Sequence, residues 1–190
     1  MDGPVPTRWW FTGVSGSGKS TYAAAVARAL EVTHHELDGT FHLPNWQELP
    51  VAQFRARVRD YTNEDGWTID GNYREIRPII VRRVQVIVGL DLPRYVVMRQ
   101  VIGRTISRRI HNEELWNGNR EAWHRMFQWD PQKSIIRWAW TSYEKVHERH
   151  AWFERYAAQR GITYLRVTSH DEARQRIAAL LGDASSSFLG

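Results

Sequence analysis

The chain has 190 residues, enough for one domain with a substantial core, and its lack of cysteine excludes disulfides and thiolate chemistry. Its formal charge of +5 and pI near 9.8 favour anionic partners. The first residues lack the basic and apolar segments of a signal peptide, and no apolar run approaches the roughly 20 residues that span a bilayer. We therefore expect a cytoplasmic protein without a membrane segment.

The first predicted elements surround a phosphate-binding motif. Trp9–Thr12 predicts a short buried strand, and the Ala-rich stretch Thr21–Leu30 predicts a helix. Between them, Gly13–Ser20 fits the pattern of Gly, four residues, then Gly-Lys-Ser/Thr. Such a loop binds phosphates through main-chain N–H groups and the dipole of the following helix. A plain Gly/Ser-rich turn is the alternative, and the strand and helix on either side argue against it.

This motif predicts a nucleoside-triphosphate site with a defined set of contacts. Lys19 is expected to reach the β- and γ-phosphates, and Ser20 to offer its hydroxyl to Mg²⁺. The residues predicted to contact the nucleotide are consecutive: Gly13, Val14, Ser15, Gly16, Ser17, Gly18, Lys19, Ser20 and Thr21.

The next segment carries a candidate acceptor-side carboxylate. Thr33–Leu37 predicts a second strand that ends in Asp38-Gly39, and Thr40–Pro50, which has two prolines, predicts a loop. A carboxylate at Asp38 can accept the proton of an acceptor hydroxyl during phosphoryl transfer. A turn-forming Asp-Gly pair is the alternative. The histidines close by lack metal-site spacing, and we expect them to line the substrate pocket or to be structural: His34, His35 and His42.

Two further aspartates end strands. Val51–Tyr61 predicts an amphipathic helix, and Trp67–Ile69 a short strand that ends at Asp70. Val84–Leu90 is almost wholly apolar, as expected of a central strand covered on both faces, and it ends at Asp91. Both aspartates compete for the Mg²⁺ contact, and we interpret Asp91 as a helix cap before the following proline.

The next helix is expected to supply arginines to the site. Arg94–Ile110 predicts a helix with a basic far end, where Arg104 and Arg108 share one face. They are candidates to stabilise the charge of a transferring phosphoryl group, with a solvated basic surface as the alternative. Residues 111–131 predict a mobile lid region with little regular structure.

The last third of the chain completes the predicted domain, 1–182. Gln132–Arg160 predicts a long amphipathic helix, Thr163–Val167 the last strand, and Ser169 the cap of a final helix. Residues 183–190 predict a disordered tail. Six of the ten tryptophans lie between Trp116 and Trp152, and we expect them to pack between helices rather than to stack on nucleic-acid bases.

Strand and helix patterns alternate, which predicts an α/β fold with a parallel sheet. The combined pattern resembles the adenylate-kinase-like P-loop proteins called topology modulation proteins of the FlaR type. Four segments carry this resemblance: Gly13–Ser20, His35–Asp38 with Trp46 after it, Ile69–Tyr73 and Leu90–Arg94. It implies a three-layer P-loop nucleoside-triphosphate hydrolase fold, nucleotide-monophosphate-kinase-like, with a five-stranded parallel sheet in the order 2-3-1-4-5 and with ATP and Mg²⁺ as cofactors.

The same resemblance assigns residues to the acceptor side. It favours Asp70 over Asp91 as the partner of Ser20 at the metal, because the extension after Asp70 resembles the Asp-Gly-x-x-Arg turn of adenylate-kinase-like enzymes. The predicted acceptor-binding residues are Asp38, Asp70, Asn72, Tyr73 and Arg74. Adenylate kinases carry Phe-Pro at positions 72 and 73, so AMP is not the expected acceptor.

The leading functional hypothesis is an ATP-dependent phosphotransferase that moves the γ-phosphate to a small hydroxyl- or phosphate-bearing acceptor. The alternative is an ATP-dependent nucleic-acid-related protein, either an end-kinase or a DNA topology modulator, which the positive charge favours. A GTPase switch ranks last because the chain has no Asn-Lys-x-Asp motif. The sequence does not predict the acceptor, the choice between ATP and GTP, or the oligomeric state.

Overall fold

The computed structural model describes residues 4–110, 114–119 and 135–189. They form one five-stranded sheet in which every neighbouring pair is parallel, in the order β2-β3-β1-β4-β5. The strands are β1 (Arg8–Gly13), β2 (Thr33–Glu36), β3 (Trp67–Asp70), β4 (Val86–Leu90) and β5 (Thr163–Val167). The α/β class predicted from the sequence pattern and the strand order implied by the resemblance are both confirmed.

Helices connect the strands and cover the sheet. They are α1 (Lys19–Leu30), α2 (Leu37–Phe41), α3 (Val51–Asn63), α4 (Arg77–Ile80), α5 (Arg94–Ile110), α6 (Ile135–Ala158), α7 (His170–Leu181) and α8 (Ser185–Leu189). Short 3₁₀ turns lie at Pro44–Trp46, Arg74–Ile76, Trp116–Gly118 and Gly182–Ala184. Across the ranges that the structure describes, no helix is both long and apolar enough to cross a membrane.

The two faces of the sheet are buried in separate clusters. Trp9 and Trp10 point to opposite faces of β1, and each side chain is 0% exposed. The Trp9 face packs against α1 and α7, whereas the Trp10 face packs against α3, α4 and Phe153 of α6. Each such large apolar side chain contributes about 1.5–3 kcal/mol by burial. Helices thus cover both faces, and the loops at the carboxyl ends of the strands form the site.

The region after β2 differs from its prediction. The strand ends at Glu36, one residue earlier than predicted, and Asp38-Gly39 lies inside helix α2 instead of in a turn. The fully buried Leu37 anchors this helix in the core, and the Thr40 hydroxyl donates to the Glu36 carbonyl (3.2 Å). The predicted loop from Thr40 therefore begins as the end of a helix.

The prediction of a disordered tail is also corrected by the structure. Its described part forms the turn Gly182–Ala184 and helix α8. Phe188 is only 8% exposed and packs against Tyr22 of α1, with ring centroids 6.4 Å apart. One buried aromatic ring orders a segment whose serine content had predicted disorder.

The tryptophan-rich segment is only partly described. Most of the predicted lid, and residues 132–134 of the predicted long helix, lie outside the described residues. In α6, Phe153 is buried, but Trp152 is 41% exposed and Trp140 is 53% exposed. The Arg94 guanidinium lies 4.6 Å from the centroid of the Trp140 ring. The expectation of buried packing was therefore wrong for these two tryptophans.

Candidate functional site

The phosphate loop joins β1 to α1 and is held in shape by α5. Gly16 has φ +80°, and a Cβ there would lie 2.3 Å from a methyl group of Val101 in α5, so the loop admits only glycine at this position. The Arg104 guanidinium donates to the Ser15 hydroxyl (3.2 Å). The structure thus places Arg104 on the loop, while Arg108 lies half-buried one turn further along α5.

Lys19 lies at the start of α1 and folds back over the loop. Its Nζ donates to the carbonyl of Val14 (3.0 Å). Burial lowers the pKa of Lys19, and the carboxylates of Asp70 and Asp38 oppose this shift. The ammonium group therefore lies near both predicted carboxylates, and a phosphate oxygen can replace the Val14 carbonyl as its partner.

Asn72, predicted on the acceptor side, binds the base of the phosphate loop. Its side-chain oxygen accepts from the Thr12 hydroxyl (2.6 Å) and the Gly13 N–H (3.3 Å), and its amide group donates to the Gly13 carbonyl. Asn72 thus ties the end of β3 to the first residues of the loop. Its observed contacts serve the nucleotide side of the site.

We expect Asn72→Ala to lower the free energy of unfolding by about 2–3 kcal/mol, because it leaves the buried polar groups of Thr12 and Gly13 without their partner. Asn63→Ala is the matched control: Asn63 accepts one exposed hydrogen bond from Arg83 (3.0 Å). Urea unfolding of both variants checks this. Equal, small losses would show that the Asn72 contacts do not stabilise the loop.

Three oxygen-bearing side chains meet beyond the loop. The Ser20 hydroxyl donates to Asp70 Oδ2 and lies 3.3 Å from Glu36 Oε1. Asp70 is 3% exposed, and its other oxygen lies 3.3 Å from His34 Nε2. The described residues contain no group of three His, Cys, Asp or Glu that could hold a metal alone. Hard oxygen donors beside a phosphate site nevertheless fit Mg²⁺, which keeps several waters and phosphate oxygens as ligands.

Glu36 was not among the predicted site residues. Its second oxygen accepts a hydrogen bond from the Trp116 indole N–H (2.6 Å). Burial raises the pKa of Glu36, the carboxylates of Asp70 and Asp38 act in the same direction, and the Trp116 hydrogen bond opposes them. The spacing Glu36-Leu37-Asp38, with two carboxylates at the end of β2, is the sequence signal that could have identified Glu36.

Asp38 lies in the first turn of α2 and faces Tyr73. The Tyr73 hydroxyl donates to Asp38 Oδ1 (2.7 Å). Burial raises the pKa of Tyr73, and the Asp38 carboxylate raises it further, so this hydroxyl stays a donor. Arg74, also predicted to bind the acceptor, is exposed at the start of its 3₁₀ turn. The structure therefore brings together Asp38 and Tyr73 and leaves Arg74 at the surface.

Asp91 serves a different part of the molecule. Arg166 of β5 donates two hydrogen bonds to its Oδ2 (2.9 and 2.6 Å), and His147 Nδ1 lies 2.8 Å from its Oδ1. Burial would raise the pKa of Asp91, but the hydrogen bonds from His147 and Arg166 outweigh it and lower the pKa. The predicted helix-cap role is replaced by a bridge between β4, β5 and α6.

We expect the protein to lose stability as the pH falls from about 6.5 to about 4, because His150 must be neutral in the fold. His150 is 1% exposed beside Tyr164, and burial lowers its pKa to about 4 from 6.5, although Asp91 opposes the shift. In that window the unfolded chain binds the proton and the folded chain does not. The full loss is about 3 kcal/mol.

The measurement is urea unfolding at several pH values, with His150→Gln as the comparison. The variant should show a flatter profile between pH 6.5 and 4, whatever its stability at pH 8. Asp91 also makes stability fall as the pH falls, but only at lower pH, because its pKa in the fold lies below 3.8. Parallel profiles for parent and variant would contradict the assignment to His150.

A cavity of about 570 Å³ lies beside the loop, and the residues that line it do not include Glu36, Asp38 or Asp70. It is lined by the loop and α1 on one side and by α5, α7 and α8 on the other, through Gly16, Gly18, Thr21, Tyr22, Ala25, Arg28, Gln100, Arg104, His170, Arg174 and Phe188. His170 contacts the Tyr22 hydroxyl (3.0 Å) and the Gln100 amide nitrogen (2.6 Å). The volume and position suit the nucleoside of a bound nucleotide.

Comparison with known proteins agrees with this architecture. No family model and no curated protein matches the chain. A solved shikimate kinase from Bacteroides thetaiotaomicron matches with a TM-score of 0.50 at 16% identity, over 92% of this chain and 98% of that one. The chain has the fold of the P-loop kinases.

Two other solved structures are similar over nearly the whole chain. A gluconokinase from Sinorhizobium meliloti matches with a TM-score of 0.47 at 15% identity, over 98% of this chain and 94% of that one. A sugar kinase from Janibacter sp. matches with a TM-score of 0.47 at 17% identity, over 96% of this chain and 98% of that one.

Proposed function

We propose that this protein is a Mg²⁺-dependent phosphotransferase that moves the γ-phosphate of ATP to a small hydroxyl- or phosphate-bearing acceptor. The observation that carries the proposal is the convergence of Lys19, Ser20, Glu36 and Asp70 where the phosphate loop meets the ends of β2 and β3, with Asp38 beyond them. The solved shikimate kinase that shares this fold is also a kinase, which supports the same reaction class.

The phosphates bind along the loop, from Val14 to Thr21, with the nucleoside in the cavity beside α5 and α7. Ser20, Asp70 and Glu36 are the residues that would hold Mg²⁺. When bound, Mg²⁺ neutralises negative charge on the phosphate oxygens. Lys19 and Arg104 add positive charge around the transferring group, and Arg108 remains a second candidate from the same helix.

The acceptor approaches from the side of α2. Asp38 takes the proton from its hydroxyl, and the Tyr73 hydroxyl fixes the orientation of the Asp38 carboxylate through its 2.7 Å hydrogen bond. Asn72 supports the loop from below, and Arg74 extends the acceptor side at the surface. Membership of the FlaR-type group, a cytoplasmic location and the nucleic-acid alternative stay predictions.

The test is calorimetric titration with ATP, with and without Mg²⁺, followed by coupled ADP-release assays with sugars, sugar acids, nucleosides, nucleotides and DNA or RNA 5′ ends. Mg²⁺-dependent ATP binding and acceptor-stimulated ADP release support the proposal. A protein that binds Mg²⁺·ATP but gives no acceptor-stimulated turnover contradicts the phosphotransferase assignment. Stimulation by nucleic-acid ends alone selects the end-kinase alternative.

A further inference from the structure

The Glu36 carboxylate is held at both oxygens by groups from distant parts of the chain. Oε1 lies 3.3 Å from the Ser20 hydroxyl, and Oε2 accepts the Trp116 indole N–H at 2.6 Å. A carboxylate with one fixed oxygen keeps the other aimed in a defined direction. Trp116 therefore orients Glu36 toward Ser20, where the metal is proposed to bind.

The segment that carries Trp116 is fastened to α2 and to the turn after it. The Asn117 amide group donates to the carbonyls of Gly39 (3.1 Å) and His42 (2.6 Å). The Asn119 amide group donates to the Leu43 carbonyl (2.9 Å), and its oxygen accepts from the Trp46 N–H (2.9 Å). These bonds hold the turn that begins at Trp116 against α2 and the turn after it, and Asn119 is 3% exposed.

Gly39 provides the space for the indole. A Cβ at this position would lie 2.7 Å from Cδ1 of Trp116, closer than real contacts allow. Gly39 has no positive φ and lies inside helix α2, where alanine is intrinsically preferred by about 1 kcal/mol. The backbone therefore does not require glycine here, whereas the position of Trp116 does.

We propose that Trp116 is a positioning residue for metal-dependent nucleotide binding: its indole N–H holds Glu36 in place at the Mg²⁺ side of the site, and Gly39, Asn117 and Asn119 hold the indole. The inference rests on the proposed function. It assigns a role to the segment Trp116–Asn119, which lies between helices α5 and α6 in the sequence. Groups that orient a metal-binding side chain in this way typically change metal affinity 10–100-fold when removed.

The first experiment compares ATP affinity with Mg²⁺ and in EDTA for the parent and Trp116→Phe, which keeps an aromatic ring and loses the N–H donor. We expect Trp116→Phe to weaken Mg²⁺·ATP binding about 10-fold and to change ATP binding in EDTA less than 2-fold. Equal weakening in both conditions would mean a merely structural role and would overturn the proposal, as would unchanged binding in both. A parent that binds no Mg²⁺·ATP would instead contradict the proposed function itself.

The second experiment uses Gly39→Ala, with Gly103→Ala as the matched control. A Cβ at Gly103, also helical, would meet nothing within 4 Å. We expect Gly39→Ala to weaken Mg²⁺·ATP binding as Trp116→Phe does, because the new methyl group displaces the indole, while Gly103→Ala binds like the parent. If Gly39→Ala binds Mg²⁺·ATP like the parent, the proposal that Gly39 provides the space for the Trp116 indole is wrong.

A double-variant cycle tests whether Trp116 acts through Glu36. In a Glu36→Gln background, the change from Trp116 to Phe should alter Mg²⁺·ATP affinity less than 2-fold, because the carboxylate that it orients is gone. A full 10-fold effect in that background would show that Trp116 acts by another route and would overturn the proposal.

Discussion

Lys19→Ala is expected to reduce phosphoryl transfer by about 10²–10³-fold and to weaken ATP binding at least about tenfold. Lys19 is the lysine of the phosphate-loop motif, and the other two lysines of the chain, Lys133 and Lys145, are far from it in sequence. Alanine leaves the main-chain N–H groups of the loop in place but removes the positive charge that binds the β- and γ-phosphates. Calorimetry and single-turnover kinetics measure the two effects separately.

Folding should survive this change. Among the described residues, the Lys19 ammonium donates one hydrogen bond, to the Val14 carbonyl. Burial already lowers its pKa, so the fold gains little from the charge. Lys145→Ala, on the exposed surface of α6, is the control and should behave like the parent. If Lys19→Ala keeps the parent's ATP affinity, the assignment of Gly13–Ser20 as a triphosphate site is wrong, and the roles assigned around it fail too.

The parts of the fold that the sequence predicts well are those set by local pattern. Apolar runs such as Val86–Leu90 are buried on both faces whatever surrounds them, and the Gly-Lys-Ser motif fixes the end of β1 and the start of α1. The helix Arg94–Ile110 and the strand Thr163–Val167 match their predicted bounds. Each of these segments carries its own periodicity within about 5–17 residues.

Contacts between distant segments could not be predicted in this way. Glu36 and Trp116 are 80 residues apart, and nothing near either position indicates the other. Asn72 lies in a segment that resembles an acceptor turn, but the register of β3 beside β1 turns its amide toward Gly13. The Asp38-Gly39 pair predicted a turn from local sequence alone. The close approach that excludes a side chain at Gly39 comes from Trp116, which is distant in the sequence. Such requirements exist only in the folded chain.

Asp70 and Asp91 show the same difference between what can be predicted before folding and what depends on contacts between distant segments. Asp70 was favoured through the resemblance to adenylate-kinase-like enzymes, which places its strand beside the phosphate-loop strand, and the structure pairs Asp70 with Ser20. Asp91 also ends a strand beside β1, yet Arg166 on the far side neutralises it. The difference depends on which residue the neighbouring strand presents, and the sequence of β4 alone does not contain that information.

Asp38→Asn is expected to reduce transfer to the acceptor by about 10²–10⁴-fold while ATP affinity stays within about 2-fold of the parent. Asparagine has the same shape and still accepts the Tyr73 hydroxyl, but it cannot take a proton from the acceptor. The cost in stability should be small, because a carboxylate in the first turn of a helix contributes about 0.3–1 kcal/mol. Acceptor-stimulated ADP release and ATP calorimetry provide the two measurements.

Tyr73→Phe separates proton acceptance from orientation. It removes the 2.7 Å hydrogen bond to Asp38 Oδ1 but leaves the carboxylate, so transfer should fall by about tenfold or less, without the larger loss of Asp38→Asn. If Asp38→Asn transfers phosphate at the parent's rate, Asp38 is structural, since asparagine can replace it in the first helical turn. Another group would then have to accept the proton of the acceptor hydroxyl, and the proposal that the acceptor binds beside α2 would be wrong.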